Sequence, residues 1–262
     1  MPRESKRAKR ERAIEICHRM GELYPHVESA LNFTTPFTMV ICVLLSAQTT
    51  DVAVNKVTPE LFSRWPDAEH MAQADPAEIA EVIRSIGFYR TKSVHCVEAS
   101  QMIVADYGGE VPRTMKELTK LPGVGRKTAN IVLNKAFGIV EGIAVDTHVF
   151  RLATRWKLTN KPTPLQAEQD LLDIIPQELW GPVNEQWIHF GRDTCRAQNP
   201  LCDGCPLADI CPSYGKANGN PKPRTRKNAK PVIAATQHIF HAFQTHEKAC
   251  TFTIIKVRKE NA

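Results

Sequence analysis

The chain has 262 residues, of which 42% are hydrophobic, and a formal net charge of +6. This length and composition allow one large domain or two small ones with a buried core, and the positive charge favours a polyanionic partner. The longest apolar run, 39–45, is much shorter than the roughly 20 residues of a membrane span. The charged N-terminus also lacks the apolar segment of a signal peptide, so we expect an intracellular protein.

Helical spacing of apolar residues, together with capping residues, prolines and glycines at the expected ends, predicts an all-α chain up to residue 213. The predicted helices are 12–23, 36–46, 51–62, 75–86, 91–107, 114–120, 126–137, 145–156, 164–175 and 177–192. The second of these is apolar nearly all round and is predicted to form the core of its domain. Residues 1–12 carry six basic and two acidic side chains, a pattern compatible with a DNA-binding arm or with a solvated helical lead-in.

A Gly-x-Gly turn separates two predicted helices near the middle of the chain. Gly123 and Gly125 flank one apolar residue, Val124, which is typical of a tight turn or of close backbone approach to a ligand. The next helix would present unpaired backbone N–H groups that attract a phosphate without reading any base. Lys127 stands in its first turn, where the helix dipole favours the neutral, nucleophilic amine. In isolation this short pattern more often marks an ordinary turn beside a surface lysine.

Other polar and aromatic positions have both structural and functional interpretations. Asp146 occupies the N-cap of a predicted helix, a structural role that contributes about 1 kcal/mol. A cap also explains Asp51 after the buried helix, but it leaves the nearby Gln48 unexplained. The predicted loop 87–90 holds two aromatic residues beside a basic one, and these could stack on bases or pack in the core.

Four cysteines, forming C-x6-C-x2-C-x5-C, give the strongest spacing signal. They are Cys195, Cys202, Cys205 and Cys211. A disulfide framework is not expected in an intracellular chain, so four thiols this close indicate a metal centre, either zinc or a 4Fe-4S cluster. The other four cysteines are scattered and are expected to be ordinary buried thiols. They are Cys17, Cys42, Cys96 and Cys250.

Five motifs occur in a characteristic order: LSAQ at 45–48, IGFY at 86–89, LPGVGRKTA at 121–129, VDTH at 145–148, and the four-cysteine set. In combination they resemble the endonuclease III family of helix-hairpin-helix DNA glycosylases, over roughly residues 10–213. The resemblance implies two all-α domains with a DNA cleft between them. These are a helical barrel, 29–140, and a cluster domain made of 1–28 and 141–213.

The resemblance implies a monomeric base-excision repair enzyme in the cytoplasm, nucleoid-associated in a bacterium. It would remove oxidised pyrimidines, such as thymine glycol, from duplex DNA and then cleave the strand. The damaged nucleotide must leave the base stack before its C1′ can be reached. Lys127 would attack C1′ and displace the base, and Asp146 would stabilise the developing charge or assist the lysine. The resulting Schiff base would permit β-elimination of the 3′ phosphate.

The remaining site residues follow from the same resemblance. Gln48 would fill the gap left by the flipped nucleotide, and Phe88 would wedge the duplex. Asp51 and His148 would stand near the pocket. The hairpin would hold DNA through Gly123, Val124, Gly125 and Arg126, and Cys195, Cys202, Cys205 and Cys211 would bind a 4Fe-4S cluster with a structural and DNA-docking role.

Two parts of the chain depart from the family pattern. The loop between the first two cluster cysteines is usually basic and contacts DNA, whereas 196–201 carries a single charge, which predicts a weaker contact there. Residues 214–262 form a basic tail whose first part, 216–230, is predicted to be a disordered linker suited to nonspecific DNA binding. Residues 249–257 alternate like a strand and have no evident partner.

Three alternatives remain open from the residues themselves. A monofunctional mismatch glycosylase of this fold would be expected to lack a lysine at position 127. A non-catalytic DNA-binding hairpin module would need neither Lys127 nor Asp146. A zinc-stabilised DNA-binding protein would be colourless, whereas a cluster protein would be yellow-brown.

Overall fold

A computed structural model describes residues 4–27 and 29–216, and within these ranges the chain is helical and contains no strand. Its helices are α1 (Lys6–Leu23), α2 (Pro36–Ser46), α3 (Asp51–Arg64), α4 (Ala68–Ala72), α5 (Pro76–Val82), α6 (Tyr89–Tyr107), α7 (Met115–Leu118), α8 (Arg126–Phe137), α9 (Thr147–Arg155), α10 (Pro164–Ile174) and α11 (Trp180–Asp193). A 3-10 turn, Gln177–Leu179, precedes α11. None of the described helices is long and apolar enough to cross a membrane.

The helices begin where short polar side chains can accept hydrogen bonds from unpaired backbone N–H groups. Thr35 and Thr38 form a reciprocal capping box at the start of α2, and Pro36 occupies the first turn. Thr50, rather than Asp51, provides the N-cap of α3 by accepting from the backbone N–H of Ala53. Asp51 is therefore left in the first turn of α3 with its carboxylate available to other partners.

Buried side chains form two hydrophobic clusters. The first contains residues between Leu31 and Leu133, with α2 buried along most of its length, as its apolar composition predicts. The second combines α1 with the segment from Ile143 to Leu207, and an edge-to-face pair of Trp156 and Trp187 lies in it. The first cluster therefore belongs to the middle of the chain, and the second unites its two described ends.

A polar face of α8 joins the elements of the two clusters. Asn130 donates a hydrogen bond to the buried carboxylate of Glu168 in α10, at 3.0 Å. One turn later, Asn134 donates to the carbonyl oxygen of Gly181 in α11, at 2.7 Å. Because residues four apart lie on one side of a helix, this face fixes the rotation of α8 about its axis.

The predicted helices differ from the structure at several points. The helix predicted at 75–86 ends at Val82, and α4 was not predicted. The predicted loop 87–90 is shorter than expected, because Tyr89 already begins α6. Residues 6–12, for which a helical lead-in was one alternative, belong to α1, where Arg12 pairs with Glu4. Beyond residue 216, the predicted linker and strand lie outside the described residues.

Candidate active site

A cavity of about 540 Å³ is lined by elements that carry both hydrophobic clusters. Five of the predicted site residues line it: Gln48, Asp51, Lys127, Asp146 and His148. These residues come from the turn after α2 and from the starts of α3, α8 and α9. The fold thus brings together side chains that are up to 100 positions apart in sequence, and the cavity is large enough for a ligand of nucleotide size.

The hairpin before α8 uses its two glycines differently. Gly123 has a φ of +77°, and a Cβ added there would lie 2.8 Å from Nδ1 of His95, so this position requires glycine for the fold. Gly125 has a φ of −88°, and a Cβ added there would meet nothing within 4 Å. Val124 between them is buried in the first cluster. The absence of a side chain at Gly125 is therefore not required by the described fold and leaves the N-terminus of α8 open to approach.

Lys127 is exposed in the first turn of α8, directly after the exposed N-terminus of that helix. Its neighbour Arg126 points elsewhere and donates two hydrogen bonds to Glu168, through Nε at 2.9 Å and Nη2 at 3.1 Å. The Arg126 side chain as a whole is still 42% exposed, so the predicted contact between Arg126 and DNA stays a prediction. The ion pair between Arg126 and Glu168 anchors the turn of α8 that carries Lys127.

Asp146 is the N-cap of α9, and its Oδ1 accepts a hydrogen bond from the backbone N–H of Val149 at 2.8 Å. The cap interaction holds the carboxylate in one orientation at the cavity wall. One oxygen serves the helix, and the other is available to a ligand. The structural and functional interpretations of Asp146 are therefore compatible.

His148 lies on the same cavity wall, beside a cluster of charges. Burial lowers the pKa of its imidazole, and the cationic side chains of Arg151, Arg192 and Lys127 act in the same direction, whereas Asp146 opposes them. Nη2 of Arg151 lies 3.2 Å from Nδ1 of His148. Because a guanidinium can only donate, Nδ1 accepts this hydrogen bond, which requires the neutral imidazole.

Gln48 and Phe88 both adopt the left-handed backbone conformation that side chains disfavour, with φ of 54° and 60°. Phe88 is 65% exposed, whereas its neighbour Tyr89 packs against the first cluster. Tyr89 therefore has the core-packing role, whereas the exposed ring of Phe88 is free to stack on bases. Strained, exposed residues of this kind are typical of functional surfaces.

The four spaced cysteines are partly buried, and Cys195, Cys205 and Cys211 pack against the second hydrophobic cluster. Burial raises the pKa of Cys205 to about 12, and the neighbouring thiols of Cys195, Cys211 and Cys202 contribute in the same direction. The backbone also links two of them, because the N–H of Cys205 donates to the carbonyl oxygen of Cys202 at 3.1 Å. By contrast, the scattered cysteines that the structure describes are buried thiols, as predicted: Cys17, Cys42 and Cys96. Cys250 lies outside the described residues.

Comparison with known proteins gives two matching family models. Residues 41–177 match the HhH-GPD superfamily of base excision DNA repair proteins, and residues 195–211 match the iron-sulfur binding domain of endonuclease III. An endonuclease III from Synechocystis sp. is 48% identical over 206 residues, which cover 79% of this chain and 94% of the relative.

The chain belongs to the endonuclease III family.

Two solved structures of the family superpose on this chain. A non-covalent endonuclease III–DNA complex has a TM-score of 0.74 at 40% identity, covering 78% of this chain and 96% of that chain. A trapped endonuclease III–DNA covalent intermediate with an estranged adenine has the same TM-score and identity, covering 81% of this chain and 98% of that chain. The fold class is therefore confirmed, and the chain is a base-excision repair enzyme with DNA glycosylase and AP lyase activities.

The cofactor of the family is a 4Fe-4S cluster, and this chain has one. No group of three or more His, Cys, Asp or Glu side chains in 4–27 and 29–216 is arranged to hold a metal ion. The match to the iron-sulfur domain, rather than the positions of the thiols, therefore decides between a cluster and zinc. The donor set fits in its chemistry, because a 4Fe-4S cluster takes four thiolates and this segment supplies four free, partly buried cysteine thiols.

Sequence reasoning missed the contribution of α11 to the cavity. Glu185, Ile188, His189 and Arg192 line it. Their spacing of three and four residues marks one helical face, so the predicted helix 177–192 contained this signal. Nothing in the sequence showed which neighbour that face would meet. Arg192 also reaches Asp51 across the cavity, with Nη2 3.4 Å from Oδ2.

Proposed function

We propose that this enzyme excises oxidised pyrimidines from duplex DNA with Lys127 as the nucleophile and Asp146 as its carboxylate partner. The observation that carries the proposal is that both side chains line one cavity, each at the start of a helix. The family resemblance supplies the lesion class, and the structures of relatives bound to DNA support a duplex substrate. Thymine glycol is the representative substrate.

The chemistry requires two bond-breaking steps joined by one covalent intermediate. The amine of Lys127 attacks C1′ while the bond between C1′ and the base breaks, and Asp146 stabilises the positive charge that develops on the sugar. Opening of the sugar gives a Schiff base between Lys127 and C1′. Loss of the C2′ proton then drives cleavage of the bond between C3′ and its oxygen, which releases the 3′ phosphate. Hydrolysis of the Schiff base returns the lysine.

The duplex must be opened before Lys127 can reach C1′. We assign Gln48 to the gap left by the extruded nucleotide and Phe88 to the wedge, because both occupy strained turns and the Phe88 ring is exposed. The open N-terminus of α8 beside Gly125 suits a backbone phosphate. Asp51 and His148 complete the cavity wall.

We also propose the domain division 29–140, with 1–28 and 141–213 forming the second domain and 214–262 a basic tail. The membership of the two hydrophobic clusters supports this division for the described residues. Cys195, Cys202, Cys205 and Cys211 would hold the cluster, which would supply a rigid, DNA-docking surface. We propose that the enzyme is a monomer. We place it in the cytoplasm, and at the nucleoid in a bacterium, because its DNA substrate would lie there.

Four parallel incubations, one for each protein, test the roles of Lys127 and Asp146. A duplex with one thymine glycol is treated with wild type, Lys127→Ala, Asp146→Asn and Lys161→Ala, an exposed lysine outside the cavity that serves as the control. We expect rapid base release and strand cleavage with wild type and Lys161→Ala, slow base release with Asp146→Asn, and neither reaction with Lys127→Ala. Base release by Lys127→Ala at the wild-type rate would refute the lysine mechanism, and release without strand cleavage by wild type would contradict the Schiff-base step.

A further inference from the structure

Lys92 is a buried lysine outside the cavity, and no step of the proposed chemistry uses it. Its side chain extends from α6 to the turn after α2, where Nζ donates three hydrogen bonds. The acceptors are the carbonyl oxygens of Leu45 at 2.8 Å and Ala47 at 2.7 Å and the hydroxyl of Thr49 at 2.8 Å. Three donors and three acceptors match an ammonium group completely.

These acceptors surround Gln48. The C-terminus of α2 has no basic residue in its last turn, and Lys92 supplies the positive charge that its unpaired carbonyl groups favour. The ammonium thus binds Ala47 and Thr49, the residues before and after Gln48. The backbone conformation of Gln48 is itself unfavourable, with a φ of 54°.

The backbone of Lys92 also contacts the turn of Phe88. The backbone N–H of Lys92 donates to the carbonyl oxygen of Phe88 at 3.0 Å, in the first turn of α6. Phe88 is the N-cap of α6 without a side-chain cap, and its φ is 60°. The two turns also lie against each other, because a Cβ added to Gly87 would be 3.9 Å from the carbonyl oxygen of Gln48.

We propose that Lys92 is a positioning residue that couples the turn of Gln48 to the turn of Phe88, so that the gap-filling and wedging side chains enter the duplex as one unit. The inference rests on the roles proposed above for Gln48 and Phe88. Lys92 is not among the residues that line the cavity, so its loss should impair duplex opening and leave the chemistry at an already accessible sugar unchanged.

The test compares a duplex carrying thymine glycol with a single-stranded oligonucleotide carrying an abasic site, which has no duplex to open. Lys92→Met keeps the length of the side chain and removes the ammonium. We expect kcat/KM on the duplex to fall about tenfold or more, since small misplacements are costly in a preorganised site. Borohydride trapping on the single strand should remain at the wild-type level. Ser100→Ala is the matched control, because it removes a buried hydrogen bond in α6 that does not involve either turn.

A double-mutant cycle then asks whether Lys92 acts through the two turns. In a Gln48→Ala/Phe88→Ala background, Lys92→Met should cause little further loss on the duplex. Equal losses on both substrates, or an undiminished loss in that background, would overturn the inference while leaving the proposed function intact. Wild-type duplex processing by Gln48→Ala/Phe88→Ala would instead refute the roles of those residues, and the inference with them.

Should Lys92→Met fail to fold, Lys92→Gln provides the same comparison, because it keeps a polar side chain at this buried position and removes the positive charge. A smaller loss confined to the duplex would support the inference. A loss on both substrates, or no loss on either, would contradict it.

Discussion

Arg126 and Glu168 form a two-point ion pair between α8 and α10, with the carboxylate side chain only 6% exposed. Asn130 donates a further hydrogen bond to the same carboxylate. The pair fixes the first turn of α8, where Lys127 lies, against the elements of the second hydrophobic cluster. The position of the proposed nucleophile therefore depends on a buried charge in another part of the chain.

Substitutions at this pair should be unequal in their effects. Arg126→Met leaves the Glu168 carboxylate buried without its counter-charge, and we expect a loss of about 3 kcal/mol in the free energy of unfolding. Glu168→Gln retains a polar group beside Asn130 and should cost about 2 kcal/mol. The double variant should lose less than the sum. Urea denaturation of the three variants measures the coupling, and additive losses would show that the pair does not act as a unit.

Substitutions of the two hairpin glycines should have different effects, one on the stability of the fold and the other on DNA binding. Gly123→Ala forces a left-handed backbone and a clash with His95, so it should lower the melting temperature. Gly125→Ala adds a methyl group to open space at the start of α8 and should leave the melting temperature nearly unchanged. It should nevertheless weaken duplex binding in a fluorescence anisotropy titration, since the methyl group obstructs the approach of a phosphate. Unchanged affinity would remove the argument for a phosphate site there.

Phe88 offers a test that separates stability from activity. Phe88→Gly and Phe88→Ala both remove the exposed ring and should reduce excision from a duplex equally. Because the residue has a φ of 60°, Phe88→Gly should be the more stable of the two, by about 1 kcal/mol. Thermal unfolding followed by circular dichroism compares them. Equal melting temperatures would argue against strain at this position.

His148 should make the protein less stable in acid. Burial and the nearby cations hold its pKa below the ordinary 6.5, while Asp146 only partly offsets them. The unfolded chain then binds a proton at a pH where the native imidazole does not, so stability is present above pH 6.5 and is lost as the pH falls towards the lower native pKa. His148→Gln should reduce the pH dependence of the melting temperature below pH 6.5. An unchanged slope would assign the acid sensitivity to other groups.

Local sequence signals predicted most helix positions because the chain marks them with caps and apolar spacing. Pro36 and Gly138, for example, lie at the expected helix ends. The start of α6 was wrong because Phe88 adopts a left-handed conformation as an N-cap without a side-chain hydrogen bond, which no local pattern indicates. Five residues of the cavity wall could be named from their motifs. Their neighbours on α11 could not, since a helix face gains a function only when its packing partner is known.

Long-range polar contacts were also beyond the reach of sequence patterns. Lys92 and Glu168 occur in ordinary helical contexts, where a charged residue is expected to be solvated. Their burial depends on acceptors and donors 38 or more positions away. These contacts arise from the packed fold, which explains why only the structure assigns them a positioning role.

Lys127 is expected to bond covalently to the substrate sugar, and peptide mapping of the reduced adduct identifies the bonded residue. The wild-type enzyme is incubated with a thymine glycol duplex in the presence of borohydride, the adduct is digested with nuclease and protease, and the modified peptide is sequenced by mass spectrometry. We predict a sugar remnant on Lys127. A remnant on Lys120, on the N-terminal amine or on any other residue would contradict the assignment of the nucleophile.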